Sequence, residues 1–107
     1  MAVLMLFCTC PDTAAGERIG QALVERRLAA CVNLLPGLTS IYRWQHGVEQ
    51  DSEVLLLIKT TTERYAELER AVLELHPYEL PEIIAVETAA GLPGYLAWVG
   101  ESTSVAG

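Results

Sequence analysis

Basic charge is scarce in this chain: lysine occurs once, at position 59, and Lys and Arg together number 7 against 14 acidic residues, for a net charge of -7. A phosphate backbone would meet mostly repulsion, which argues against nucleic acid as a partner. A membrane-spanning apolar run is not seen at the start either. The apolar start, Val3 to Phe7, is too short to span a bilayer and has neither a basic lead-in nor a small-residue cleavage site after it. It reads as a strand, the protein as cytoplasmic, and membrane insertion is not expected. Cysteine is limited to three residues, an odd count that implies reduced thiols and no disulfide framework. Catalytic signatures are absent as well: there is no G-x-x-x-x-G-K-[ST], no H-E-x-x-H, no C-x-x-C and no G-x-S-x-G. The chain is therefore read as a non-enzyme.

What the chain does have is two long apolar stretches, Cys31 to Trp44 and Val48 to Thr61, separated only by Gln45-His46-Gly47. They predict one long β-hairpin whose arms exceed the usual strand length of about five or six residues. In so small a chain its end must overhang the remaining sheet. Unpaired backbone on such a ribbon is a hazard in a monomer and an assembly device in an oligomer.

The remaining pattern is βαββαβ with a further C-terminal helix. Ala2 to Thr9 predicts a central strand, closed by Pro11. Asp12 or Thr13 can cap a helix with Ala15, Ile19, Ala22 and Leu23 on its buried stripe, and Arg26 and Arg27 suit its last turn. Pro36-Gly37 predicts a bend or bulge in an edge strand. Thr60 or Thr62 can cap a second helix with Tyr65, Leu68, Val72 and Leu75 facing inward and an Arg70–Glu74 pair outside, stopped at Pro77. Pro81 opens an edge strand, Glu82 to Glu87, and Leu92 to Gly100 forms the last helix, with Glu101 to Gly107 frayed. Right-handed crossovers interleave the units and put the first and third strands in the middle. The fold class is α+β, a ferredoxin-like sandwich with a long β2–β3 hairpin in a single domain, residues 1–107.

The stretch RRLAACVNLLPGLTSIYRWQHGVEQDSEVLLLIKT, followed by LHPYELPEIIAV and GLPGYLAWV, closely resembles the CutA divalent-cation-tolerance family, from the FCTCPD segment to Val99. The resemblance implies a ferredoxin-like fold, a homotrimer joined through the long hairpins, and a role in tolerance of divalent metals, copper above all. A closed ring of three is one way to remove the overhanging edges.

Cys8 and Cys10 lie two apart, so on a strand both thiols face one side, a spacing suited to Cu(I); the alternative is that Cys8 is a small buried hydrophobe. The resemblance carries Cys8 over as a proposed ligand, whereas Cys10 is an extra thiol. His76, at the end of the second helix, either meets terminal carbonyls or binds metal. It too is carried over as a proposed copper ligand, although Leu75 stands where some relatives have a second histidine. Cys31 reads as packing, with metal binding near an oligomer's cleft as the alternative, and His46 as a turn residue. Tyr42, Arg43 and Trp44 near the tip, with Glu49, Asp51 and Glu53 across the turn, are read either as cross-strand aromatic and charge pairs or, by preference, as intersubunit packing. Lys59, Tyr78 and Glu79 are expected to converge, as a subunit-junction ion pair or an anion pocket.

Three functions fit these residues. One is a trimer that binds copper or another divalent ion in the response to metal ions. The second is a small-molecule sensor like the trimeric PII signalling proteins, although the chain has few cations for phosphate. The third is a scaffold trimer with incidental metal affinity.

Overall fold

In the computed structural model, which describes residues 2–105, a four-stranded antiparallel sheet in the order β2-β3-β1-β4 carries the chain. Its strands are β1 (Val3–Cys10), β2 (Cys31–Trp44), β3 (Gly47–Thr61) and β4 (Ile84–Glu87), with helices α1 (Thr13–Glu25), α2 (Tyr65–Leu75) and α3 (Pro93–Ser102). This is the ferredoxin-like α+β arrangement, with β1 and β3 central as the apolar runs require.

Alternation along β1 buries Leu4, Leu6, Cys8 and Cys10 on one face, where they meet Val54, Leu56 and Ile58 of β3. α1 and α2 cover that face with Ile19, Leu23, Leu68 and Val72, all fully buried. Gly16 on α1 permits the contact: a Cβ there would lie 3.0 Å from Leu34 Cδ2 and 3.2 Å from Cys10 Sγ. Asp12 caps α1 through its side chain, which accepts from the Ala15 amide at 2.8 Å.

The helix ends differ from expectation in three places. α1 stops at Glu25, and Arg27, in the left-handed region at φ 59, does not serve its last turn. Its guanidinium instead donates to the Glu101 and Ser104 carbonyls at 2.7 and 3.0 Å, closing the C-terminus of α3. α2 has no threonine cap, because pairing with β1 carries β3 on to Thr61 and Thr60 donates its hydroxyl to the Leu28 carbonyl; the N-cap is Arg64. Glu74 pairs with Arg26 at 3.8 Å rather than with Arg70. Farther on, α3 extends through Ser102, and Thr103 is buried with its hydroxyl on the Val99 carbonyl, so this part of the tail is ordered structure. Residues 106 and 107 of the expected frayed tail lie outside the described residues.

The hairpin is the dominant shape. β1 pairs β3 from Val54 to Thr61 only, whereas β2 pairs β3 out to Trp44 opposite Gly47. Everything past Val54 therefore overhangs by roughly 20 Å at about 3.4 Å per residue. The molecule measures 46 × 27 × 21 Å. Pro36-Gly37 produces the expected bulge, between Leu35 and Leu38, with Gly37 at φ 86. Exposed apolar side chains gather on this arm, where Ile41 is 69% and Val48 66% exposed, and on and before the edge strand β4, where Leu80 is more exposed still and Ile84 and Val86 are less so. No helix among the described residues is long and apolar enough to cross a membrane.

Candidate functional site

Pro11 lacks an amide hydrogen and leads directly into the α1 cap, so β1 ends at Cys10, opposite Val54. Beyond that point the inner edge of β3 has no strand beside it. Segment 77–82, stiffened by Pro77 and Pro81, approaches there, and a cleft of about 750 Å³ opens between it and the hairpin. The alternation Glu49, Asp51, Glu53 puts three carboxylates on one face of β3, the face shared with Tyr42 and Trp44.

Two tyrosine–carboxylate bonds shape this face. Tyr78 donates its hydroxyl to Glu53 Oε2 at 2.7 Å, fastening the segment to the arm. Burial, followed by the Glu53 bond and charge, pushes the Tyr78 hydroxyl above its ordinary range. Tyr42 donates to Asp51, a diagonal neighbour across the strands, and that bond pushes its hydroxyl up to about 12. Glu49, Glu53, Glu79 and Glu82 line the cleft, with Arg43 as the sole basic residue there among the described residues.

The thiols lie deeper. Cys8 and Cys10 do share a face, but it is the face under the helices, and both are fully buried. Burial pushes the Cys8 thiol up to about 12, with Cys10, Glu82 and Glu53 adding repulsion. Burial raises Cys10 too, with Asp12 as the next cause, and its thiol donates toward the Val54 carbonyl at 3.7 Å. Both thiols are therefore protonated at neutral pH, whereas a metal ligand must be a thiolate.

His76, buried at the C-cap of α2, uses both ring nitrogens. Nε2 lies 2.7 Å from the Thr9 carbonyl, and Nδ1 accepts the Tyr78 amide at 3.0 Å. No group of three His, Cys, Asp or Glu among the described residues is arranged to hold a metal ion. A single protomer in this conformation thus offers no preformed centre for copper.

The expected meeting of Lys59 with Tyr78 and Glu79 does not occur. Lys59 pairs with Cys31 in register and donates to Asn33 and, at 3.9 Å, to the Cys31 thiol. It sits at the far end of β3, whereas segment 77–82 meets the strand at Glu53, where β1 runs out. His46 is exposed at the tip beside Gln45, whose φ is 53. The Glu53–Tyr78 bond was not anticipated; the acidic alternation and the two flanking prolines were its only traces in the sequence.

Comparison with known proteins gives a consistent answer. Residues 4–102 match the family described as CutA1 divalent ion tolerance protein. The chain is similar to a "Divalent-cation tolerance protein CutA" of Thermus thermophilus, 52% identical over 92% of this chain and 96% of that protein. It is similar to "Protein CutA" of Mus musculus, 47% identical over 95% of this chain but 58% of the mouse protein. A crystal structure of CutA from Xylella fastidiosa superimposes with a TM-score of 0.95 at 45% identity, covering 97% of this chain and all of that one.

Proposed function

The chain belongs to the CutA1 divalent ion tolerance family, and we propose that it acts in divalent-cation tolerance as a homotrimer assembled through its long hairpin. The observation that carries this reading is the overhang itself. Past Val54 the arm has a free inner backbone edge and the exposed apolar residues Ile41 and Val48, while β4 carries Ile84 and Val86, 55% and 43% exposed. Isolated two-stranded ribbons are marginally stable in water, and free edges invite pairing. Three copies arranged head to tail around an axis close every edge, which an open dimer does not. Native mass spectrometry at low micromolar concentration should report three subunits; a monomer would end this reading.

Copper or another divalent ion is the proposed cargo, with Cys8 and His76 as candidate ligands. Ligation there has a defined cost: the Cys8 proton must leave, and His76 must give up one of its two backbone partners. Isothermal titration with copper under reducing conditions, on wild type and on Cys8→Ser and His76→Ala, tests the assignment. Unchanged affinity in both variants removes them as principal ligands. We place the protein in the cytoplasm, where its three free thiols stay reduced.

A further inference from the structure

At the root of the hairpin, the opposite end of β3 from the overhang, we propose that Cys31 and Lys59 form a peroxide-driven, thiol-reversible covalent link between sulfur and nitrogen. The two residues are register partners across β2 and β3, and the Ala30 amide donates to the Lys59 carbonyl at 2.8 Å, so paired backbone sets the side chains beside each other. The Lys59 ammonium donates toward the Cys31 thiol at 3.9 Å and to the Asn33 side chain. Tyr95 of α3 reaches the same sulfur: burial, then the charge of Cys31 and a hydrogen bond with it, push the phenol above its ordinary range. Two further observations single this pair out. Cys8 and Cys10 are fully buried, whereas Cys31 is partly exposed and is the thiol within reach of a dissolved oxidant. Lys59 is the only lysine in a chain with 14 acidic residues, yet among the described residues it makes no ion pair with a carboxylate.

The chemistry runs in two steps. Hydrogen peroxide oxidises the Cys31 thiol to a sulfenic acid and is itself reduced, releasing one water. The Lys59 amine, having given its ammonium proton to solvent, then attacks that sulfur. The S–O bond breaks as the S–N bond forms, and the departing hydroxide takes up an amine proton and leaves as water. The product is a sulfenamide, lighter than the reduced chain by two hydrogens. Two equivalents of an external thiol reverse it, returning the Cys31 thiol and the Lys59 amine and leaving as a disulfide. The flexible four-carbon stem of lysine closes the distance to sulfur without disturbing the strand pairing. Neither a metal ion nor a second subunit takes part, so the inference stands apart from the proposed function.

Exposure of the full chain to a small excess of hydrogen peroxide, followed by intact mass spectrometry without reductant and by proteolytic mapping, is the test. A mass lower by two hydrogens is expected, with one linked peptide joining Cys31 to Lys59, and dithiothreitol should restore the original mass. Lys59→Arg keeps the positive charge but presents no free amine; it should give instead a sulfenic acid at Cys31 that dimedone labels. Cys31→Ser should give neither product. Circular dichroism verifies that each variant is folded, and should Lys59→Arg fail to fold, the peptide map of the wild type decides by itself. Four results overturn the inference: oxidation of Cys31 to sulfinic or sulfonic acid with no linked peptide, a Cys31 disulfide between two copies in its place, a loss of two hydrogens that persists in Lys59→Arg, or a Cys31 thiol that peroxide does not touch until the chain is unfolded.

Discussion

His76 Nε2 stands 2.7 Å from the carbonyl oxygen of Thr9, two residues past Phe7, where β4 ceases to pair with β1. The imidazole supplies the hydrogen bond that a longer β4 would have made. Its other nitrogen accepts the Tyr78 amide, so the ring is held as the Nε2–H tautomer and fixes the start of the segment that carries Tyr78 to Glu53. His76→Ala leaves a buried carbonyl and an amide without partners, at about 1–3 kcal/mol each. Chemical denaturation should show a loss of about 2–4 kcal/mol, and His76→Phe, which keeps the bulk but not the nitrogens, should lose nearly as much. A variant within about 0.5 kcal/mol of wild type contradicts the structural role.

Cys8 sets an alkaline limit on stability. Its folded pKa is raised from 9.0 to about 12, so between those values the unfolded chain has lost a proton that the folded chain keeps. The unfolded state then binds fewer protons, and stability falls as pH rises from 9, levelling only above 12. Three pH units correspond to about 4 kcal/mol at about 1.4 kcal/mol per unit. Urea melts of wild type at pH 8 and pH 11 should differ by more than those of Cys8→Ala. Equal pH dependence in the two proteins excludes Cys8 as the source.

The strands were legible in the sequence because their signals are local. Both hairpin arms could be read from apolar content and from a two-to-three-residue polar tip, and Pro36-Gly37 marked the bulge that Gly37 provides at φ 86. The centre and edges of the sheet followed from where proline falls. Three features were not legible, since each depends on a distant partner. Thr60 and Thr62 have the chemistry of caps, but pairing with β1 holds Thr60 in a strand. Arg27 has the chemistry of a last-turn cation for α1, but serves α3. Tyr78 and Lys59 belong to opposite ends of β3, and only the early stop of β1 decides which of them meets the loop.

Gly16 and Gly37 are required for different reasons, and alanine separates them. At Gly16 a Cβ meets Leu34, Leu56 and Cys10 at 3.0–3.2 Å, inside the core between α1 and the sheet. Gly16→Ala should cost about 1–3 kcal/mol through overpacking. At Gly37 a Cβ meets nothing within 4 Å, so the cost of Gly37→Ala is backbone strain at positive φ, about 1 kcal/mol. Gly16→Ala combined with Leu34→Ala should recover part of its loss, whereas the same partner does nothing for Gly37→Ala. Thermal denaturation of the four variants distinguishes the two cases.

Arg27 combines a strained backbone with two hydrogen bonds to the end of α3. Arg27→Gly relieves the first and removes the second; Arg27→Ala keeps the strain and removes the bonds. Both should increase amide exchange across the last turn of α3, with Arg27→Ala less stable than Arg27→Gly by roughly 1 kcal/mol. Unchanged exchange in α3 means that the guanidinium contacts are not holding it.

Val48 tests whether the overhang is an interface. Pairing places Val48 on the same hairpin face as Ile41, opposite the face of Tyr42, Trp44 and the three carboxylates, and both apolar side chains are about two-thirds exposed within the protomer. A lysine at position 48 therefore disturbs no packing inside one chain. At a ring interface it places a positive charge in apolar surroundings once per copy, and a desolvated unpaired charge is costly. Val48→Lys should shift the protein from trimer to monomer in native mass spectrometry while its circular dichroism stays native. Val24→Lys, also at an exposed apolar site but on α1, should leave assembly intact. The two outcomes together locate the contact on the hairpin: equal dissociation in both variants reflects general charge repulsion, and an intact trimer in Val48→Lys moves the interface elsewhere.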